Sequence, residues 1–301
     1  MGKINYSSVS IVVPYYNQEH IVEQSVSNLI SQEYPAEKLN FIFIDDGSSD
    51  STKSILDRFT VDERVQVISF SRNRGRSAAR NAGITASDSE LIGFLDGDMT
   101  VEPDWLRHLA DLLTGDVVGA MGDSILPPGT VPNRLDRYFY SYYRGARQIG
   151  ENRPLHFKWF LFNNALISRQ ALDKIGYFDL SFTTYGGEDT DLAIRLWRAF
   201  PKGLRFSTKA VSYHHHRRTV AGFCESMRGY GEENLPRLLD RYPEYHSEIA
   251  GHWIWSVKGR LIFNRMIFSL VWILFQLIPL PLLIRYLVIY SVIRGARNTT
   301  P

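Results

Sequence analysis

The strongest constraint on this chain is a repeated alternation in its first 125 residues, where short apolar runs are separated by segments of helical pattern. The runs fall at residues 9–14, 39–45, 65–70, 91–96 and 117–125. Each is nearly continuous in hydrophobicity, the pattern of strands covered on both faces. The intervening residues 21–31, 54–59, 76–85 and 105–113 have lengths suited to crossover helices. This predicts an α/β fold built on a Rossmann-like, mostly parallel sheet flanked by helices. Such sheets bind ligands beyond the carboxyl ends of their strands, so function is to be sought in the polar residues just after each run.

At 301 residues, 44% hydrophobic and 22% charged, the chain can bury a full core and carry one large domain with an appendage. Its 34 Lys and Arg nearly balance 32 Asp and Glu, so no global field marks a nucleic-acid partner and none is expected. Cys224 is the only cysteine, which excludes an internal disulfide and a thiolate metal cluster, fits a reducing compartment, and reads as a small core residue. Residues 1–6 run straight into the apolar 9–13 stretch without the h-region and cleavage site of a signal peptide, so we read no export signal. Gly2 is not read as a myristoylation site, because Tyr6 stands where that motif wants Ser or Thr. The tripeptides Asn5-Tyr6-Ser7 and Asn298-Thr299-Thr300 match glycosylation sequons and are given no weight.

Three polar strand ends concentrate the chemistry. Asp96-Gly97-Asp98 sets two carboxylates one residue apart after a buried strand, with Gly97 free to turn, a set suited to Mg²⁺ or Mn²⁺ that also holds diphosphate oxygens. Asp45 and Asp46 end the second run; the following Ser49, Asp50 and Ser51 are assigned to capping, whereas a carboxylate at 45 or 46 suits a base N–H or a ribose hydroxyl. Residues 71–83 follow the third run and open a helix with small residues, where the helix N-terminus and Arg80 offer positive potential to phosphates.

With the opening Pro14-Tyr15-Tyr16-Asn17, these motifs in this order and spacing resemble a family 2 glycosyltransferase. The downstream half resembles it too: residues 162–169 and 175–179 resemble the acceptor-side segment, Gly186-Gly187-Glu188-Asp189-Thr190-Asp191-Leu192 the catalytic acidic motif, and residues 210–214 the strand ending in a metal-side histidine. The match covers about residues 8–217. It implies a GT-A fold and an inverting, metal-dependent transfer from a nucleotide-diphosphate sugar, with UDP or dTDP the first expectation, to a glycan, polysaccharide or lipid-linked acceptor. By position, Pro14, Tyr16, Asn17, Asp45, Asp46, Arg80 and Asp96 would bind the donor. Asp96, Asp98 and His214 would serve the metal, and Asp189 would be the base with Glu188 its close competitor. Arg217 and Arg218 either add charge to the leaving group or form a solvated turn. Rival readings are a sugar-nucleotide pyrophosphorylase, opposed by the absence of a glycine-rich basic loop at residues 15–19, and a non-catalytic nucleotide-sugar-binding protein, opposed by the intact acidic set. The Gln-x-x-Arg-Trp signature of processive synthases is absent, which favours one transfer per encounter.

The expected organisation is a catalytic domain over residues 1–225, with a nucleotide-binding half over about 1–125 and an acceptor half over about 126–225, then a helical extension over 226–260 and a membrane-associated or transmembrane segment over 261–293. Within 126–160, Arg134, Arg137, Arg144, Arg147 and Arg153 interleave with Tyr138, Phe139, Tyr140, Tyr142 and Tyr143, a spacing that predicts an amphipathic helix with a solvated basic face over an aromatic core stripe, preferred to an acceptor or lipid-headgroup surface. In the tail, residues 266–284 carry no charge over 19 positions, long enough to cross a bilayer. Pro279 and Pro281 either kink that helix or divide it into pieces dipping into one leaflet; a core helix is the soluble alternative. Membrane association is expected, with the catalytic domain cytoplasmic.

Overall fold

Val, Ile and Phe are stiff at χ1 or broad-faced and fit a pleated, covered surface, so the five apolar runs become strands. The computed structural model describes residues 6–215, 217–249, 251–278 and 280–298. Gly2, Asn5, Pro279, Thr299 and Thr300, each invoked above, lie outside the described residues. The strands are β1 (Val9–Tyr15), β2 (Leu39–Asp45), β3 (Val65–Ser69), β4 (Leu91–Leu95), β5 (Met99–Val101), β6 (Gly119–Ile125), β7 (Asn164–Ser168) and β8 (Leu204–His214). Helices α1 (Val22–Ile30), α2 (Thr52–Arg58), α3 (Arg76–Ala86) and α4 (Trp105–Ala110) fall where the spacing placed them. They are followed by α5 (Arg134–Phe139), α6 (Arg169–Ile175), α7 (Glu188–Ala199), α8 (Val220–Gly229) and α9 (Leu235–Arg241). The chain then forms α10 (His252–Trp255), α11 (Val257–Ile262), α12 (Arg265–Leu277) and α13 (Pro281–Asn298).

The strands form one eight-stranded sheet in the order β3-β2-β1-β4-β7-β6-β8-β5 among the described residues. Strands β1 to β4 pair in parallel as expected. The remainder is mixed: β7 is antiparallel to both neighbours, β6 and β8 are parallel, and the short β5 is antiparallel to β8. The chain gathers into two compact units, the first of residues 1–128, 145–181 and 192–216, the second of residues 129–144, 182–191 and 217–301. These limits differ from the expected divisions near 125, 225 and 260, since the first unit includes 145–181 and 192–216 while the tail shares the second with 129–144 and 182–191.

In the first unit, Val9, Ile11, Val12, Val13, Phe41, Phe43 and Phe94 are wholly buried. Burying each such side chain stabilises by about 1.5–3 kcal/mol relative to leaving it in water. Helix α3 approaches the sheet so closely at Gly83 that an added Cβ would lie 2.3 Å from Val12 Cγ1, which is why that helix is rich in small residues. In β7, Asn164 is fully buried: its Oδ1 accepts from Trp105 Nε1 at 2.7 Å, and its Nδ2 donates to Ser212 Oγ at 2.8 Å and to the Ala210 carbonyl at 3.3 Å. It ties α4 to β8.

In the second unit one expected helix is shorter and the apolar tail is divided. The amphipathic helix of the 126–160 region shrinks to α5, capped by the reciprocal bonds Asp136 N to Asn133 Oδ1 at 2.9 Å and Asn133 N to Asp136 Oδ2 at 2.8 Å. Leu135 and Tyr138 are buried three apart, but the aromatic run then continues without helical period, leaving Tyr142 and Tyr143 exposed. No helix among the described residues is long and apolar enough to cross a membrane. The apolar tail is divided between α12 and α13, with Pro281, which fits a first helical turn, opening the latter. Helix α13 is core: Ile284 and Leu287 are fully buried with Leu135, Tyr138, Val220, Phe223 and Phe275, and Cys224 packs at the edge of the same cluster. Gly231 and Gly295 let the backbones meet, since a Cβ at either would lie 2.0 Å from a facing carbonyl oxygen, that of Val292 or of Arg228.

Gly295→Ala is therefore expected to destabilise the second unit by about 1–3 kcal/mol through overpacking, read as a lower urea midpoint. A chain ended at Gly259 would lose α13 and with it the buried cluster; rapid proteolysis of residues 217–259 is the expected sign.

Candidate active site

Three loops at the carboxyl ends of β1, β2 and β3 are bound together by short polar side chains, with the end of β4 beside them. Asn17, at a left-handed φ of 51°, donates its N–H to Ser48 Oγ at 3.0 Å and accepts from Ser49 N at 2.8 Å. Gln18 N donates to Thr52 Oγ1 at 2.7 Å, and Glu19 N to Asp50 Oδ2 at 3.1 Å. The Ser-Ser-Asp-Ser-Thr stretch thus fixes the first loop against the second. Asp45 is turned to its own loop, accepting from Ser48 N at 3.1 Å. Asp46 reaches the third, accepting from Arg74 N at 2.7 Å and Gly75 N at 3.0 Å. Burial pushes its carboxyl above the ordinary aspartate range against those two donors, with Asp45 adding to the rise. Gly47, at a φ of 72°, is required because a Cβ there would lie 2.4 Å from the Arg72 carbonyl carbon.

The result is a cleft of about 210 Å³ in the first unit, lined by Pro14, Tyr16, Asp46, Arg76, Asp96 and Asp98 together with Tyr15, Gln18, Asn73, Gly75 and Gly97. Of the expected donor residues, Pro14, Tyr16, Asp46 and Asp96 line it; Asn17 and Asp45 act in the loops around it. Gly97 has no room for a side chain, since a Cβ would meet the Tyr15 ring at 2.5 Å. Tyr15 is held beneath, its hydroxyl 3.0 Å from Ser25 Oγ and its acidity suppressed by burial.

Arg80 stands elsewhere than expected. Its guanidinium is fully buried, donating to Asp96 Oδ1 at 3.0 Å and the Phe162 carbonyl at 3.3 Å, and lies 5.1 Å from the centroid of the Phe178 ring. A buried group so engaged supports Asp96 from behind and does not line the cleft. The cation that does line it is Arg76, one helical turn earlier, 3.9 Å from Asp96 Oδ2. Positions 76 and 80 share a helix face, so the sequence offers no signal that separates them.

Asp98 and His214, far apart in sequence, are brought together by the pairing of β5 with β8, in which Met99 faces His214. His214 Nε2 lies 3.2 Å from Asp98 Oδ2. His215 takes the other face, bonded to Thr100 Oγ1 at 2.9 Å, with its pKa lowered by burial. A carboxylate oxygen and an imidazole nitrogen form a donor pair that fits Mn²⁺ or Mg²⁺, with remaining positions left to diphosphate oxygens and water. No cluster of three His, Cys, Asp or Glu placed to hold a metal occurs among the described residues. The expected set Asp96, Asp98 and His214 divides, with Asp96 bonded to Arg80.

The expected catalytic acids belong to the second unit. Gly186 and Gly187, at φ of 82° and 99°, lead into α7, and Asn234 Nδ2 holds the turn through the Gly186 carbonyl at 2.6 Å. Glu188 is buried and Asp189 half-buried. Asp191 is fully buried and accepts from Arg241 Nη1 and Tyr242 OH, both at 2.7 Å. Burial, reinforced by the Glu188 charge, raises the Tyr230 pKa. Arg217 is tied to Asp136 at 2.9 Å and the Val131 carbonyl at 2.8 Å, and Arg218 lies over the Tyr185 ring, so both have structural partners.

Residues 10–176 match the sequence model described as Glycosyl transferase family 2. Glycosyltransferase AglE of Haloferax volcanii is 32% identical over 135 residues, 43% of this chain and 44% of that protein. Validoxylamine A glucosyltransferase of Streptomyces hygroscopicus subsp. limoneus is 23% identical over 284 residues, 85% of this chain and 60% of that one. The chain thus spans about half the length of these curated relatives. The structure of the mannosyltransferase PcManGT from Pyrobaculum calidifontis, in complex with GDP-Man and Mn²⁺, matches with a TM-score of 0.65 at 18% identity, covering 98% of this chain and 89% of that one. TarS 1–349 of S. aureus, in complex with UDP, matches with a TM-score of 0.56 at 17% identity, covering 97% and 90%. The fold is a mixed α/β arrangement of the GT-A type.

Removing the buried guanidinium leaves the Asp96 charge and the Phe162 carbonyl without it. Arg80→Met is expected to lose about 3–5 kcal/mol of stability in chemical denaturation. Arg76→Met, at a partly exposed position, is expected to change stability by under about 1 kcal/mol.

Proposed function

The chain belongs to glycosyl transferase family 2, and from that premise we propose that it moves a sugar from a nucleoside diphosphate sugar to an acceptor hydroxyl with inversion at the anomeric carbon. The observation that carries this reading is the cleft, in which Asp46, Arg76, Asp96 and Asp98 and the N-terminus of α3 gather beyond the strand ends. Each Asp46 oxygen accepts one backbone bond and has capacity for another, from a base N–H or a ribose hydroxyl. Asp96, steadied by Arg80, is a second ribose acceptor. Arg76 and the N-terminus of α3 meet the negative diphosphate. The bound nucleotides of the two solved neighbours, GDP-Man in one and UDP in the other, support a nucleoside diphosphate and leave the base open between UDP, dTDP and GDP.

Asp98 and His214 are the residues suited to hold Mg²⁺ or Mn²⁺, which when bound supplies Lewis-acid stabilisation of the leaving diphosphate. Asp189 is the general base in this reading. Its carboxylate takes the acceptor hydroxyl proton as that oxygen bonds to the anomeric carbon, and the carbon–oxygen bond to the diphosphate breaks with its electron pair departing on the diphosphate. Asp189 is preferred over Glu188 because a base must meet an incoming acceptor, and Glu188 is only 5% exposed. The acceptor is a hydroxyl of a glycan, polysaccharide or lipid-linked sugar.

Two variants test the assignment with UDP-, dTDP- and GDP-sugars and Mn²⁺. Asp98→Asn is expected to abolish Mn²⁺-dependent nucleotide binding in calorimetry while leaving the melting temperature of the ligand-free protein within a few degrees. Asp189→Asn is expected to keep donor binding and lose turnover by at least about 10²-fold, the lower end of general-base contributions. Parent-like turnover in Asp189→Asn, with Glu188→Gln inactive, would move the base by one residue.

A further inference from the structure

The outward face of α12 is the wrong chemistry for water. Helices at a protein surface expose a polar stripe, yet Met266 is 78% exposed, Leu270 57%, Ile273 58% and Leu277 73%, and the face has no charge beyond Arg265 at its start. The apolar surface continues on both sides of the helix, through Leu261 and Ile262 before it and Ile278, Leu280 and Leu282 after it. Inward, Phe275 packs into the buried cluster with Ile284 and Leu287, so the helix is anchored while its other side is bare.

The charge pattern around this face identifies what covers it. From Ile249 onward the sequence contains no Asp or Glu, while it carries Lys258, Arg260, Arg265, Arg285, Arg294 and Arg297. Arg297 is turned inward, donating to the carbonyls of Ile254 and Phe263, whereas the other five are exposed. Trp272 and Tyr286, side chains with an apolar body and a polar edge, are half-buried at its border. An apolar helix face in a stretch of chain that carries cations and no acid is complementary to an anionic bilayer surface. A homodimer contact would bring the cations of each copy toward one another, and of these five only Arg294 has an acid, Glu225, interacting with it among the described residues.

We propose that α12 and the turns flanking it form an in-plane membrane anchor that seats this unit in the headgroup layer of an anionic membrane without crossing it. The geometry sets the depth. With 13 residues, α12 extends about 20 Å, short of the roughly 30 Å hydrocarbon core, and α13 is already committed to the protein interior. Its long axis therefore lies along the surface, with Leu270, Ile273 and Leu277 entering the acyl boundary and the exposed Lys and Arg side chains meeting phosphates. This anchor is independent of the transfer reaction proposed above, and its test uses no donor or acceptor.

The test is flotation of the full chain with vesicles of phosphatidylcholine alone and with vesicles one-third phosphatidylglycerol. Binding is expected to favour the anionic vesicles by at least about tenfold, since each basic residue near such a surface adds roughly fivefold. Leu270→Glu with Ile273→Glu, at exposed positions that leave the fold and its circular dichroism intact, is expected to abolish it. High salt weakens the preference, and alkaline carbonate releases the bound protein. Equal failure to bind either vesicle overturns the proposal, as does resistance to carbonate extraction, which would mark a spanning segment. A parent that is dimeric by light scattering, converted to monomer by the double substitution without any vesicle binding, would assign the face to a second copy instead.

Discussion

The buried pair of Arg80 and Asp96 is the interaction on which the rest of the site depends. A guanidinium placed in a protein interior is costly unless it is paired with a charge and hydrogen-bonded. Here Asp96, the Phe162 carbonyl and the Phe178 ring meet it from the end of β4, the segment before β7 and the turn after α6. One side chain from α3 thus joins three regions that are distant in sequence, and it fixes the orientation of a carboxylate that faces the cleft. The closeness of α3 to the sheet at Gly83 is what lets Arg80 reach so far.

Much of this was legible before any coordinates. Continuous apolar runs specify covered strands because a one-faced strand would alternate, and all five expected strands and the first four helices occur. The acidic strand ends were legible for the same reason: a polar residue following an apolar run has few places to go except the sheet terminus. Which acid does what was not. Asp45 and Asp46 are adjacent and identical in type, and only the loop paths turn one toward Ser48 and the other toward Arg74 and Gly75. The same holds for Arg76 and Arg80, where depth along a helix face, invisible in spacing, divides a cleft-lining cation from a buried one. Family membership removes the pyrophosphorylase alternative that the first loop already disfavoured.

The division of the tail was not legible, for a physical reason of wider use. Hydropathy counts apolar residues but does not report whether they meet lipid or protein. Residues 266–284 lack charge, yet the apolar length is shared by two helices with different surroundings: Ile284 lies at zero exposure, and Met266 is largely bare. Gly231 and Gly295 were the available sign, because small residues at matching positions permit backbones to touch, as they do between α13 and the end of α8.

The pairing of β6 with β8 slips between Gly122 and Asp123, so that Thr208, Lys209 and Ala210 lie outside the register. Glu151 holds this excursion through Ser207 and Thr208, and Ser207 Oγ closes it from within. Because strand side chains alternate, the number of residues accommodated there sets the phase of everything downstream. With the present length, His214 faces Asp98 and His215 faces Thr100. Shortening the excursion by one residue would bring His215 to Asp98, and lengthening it by one would bring Tyr213 there, so the ligand identity at this site is written in the length of that excursion as much as in the histidines themselves.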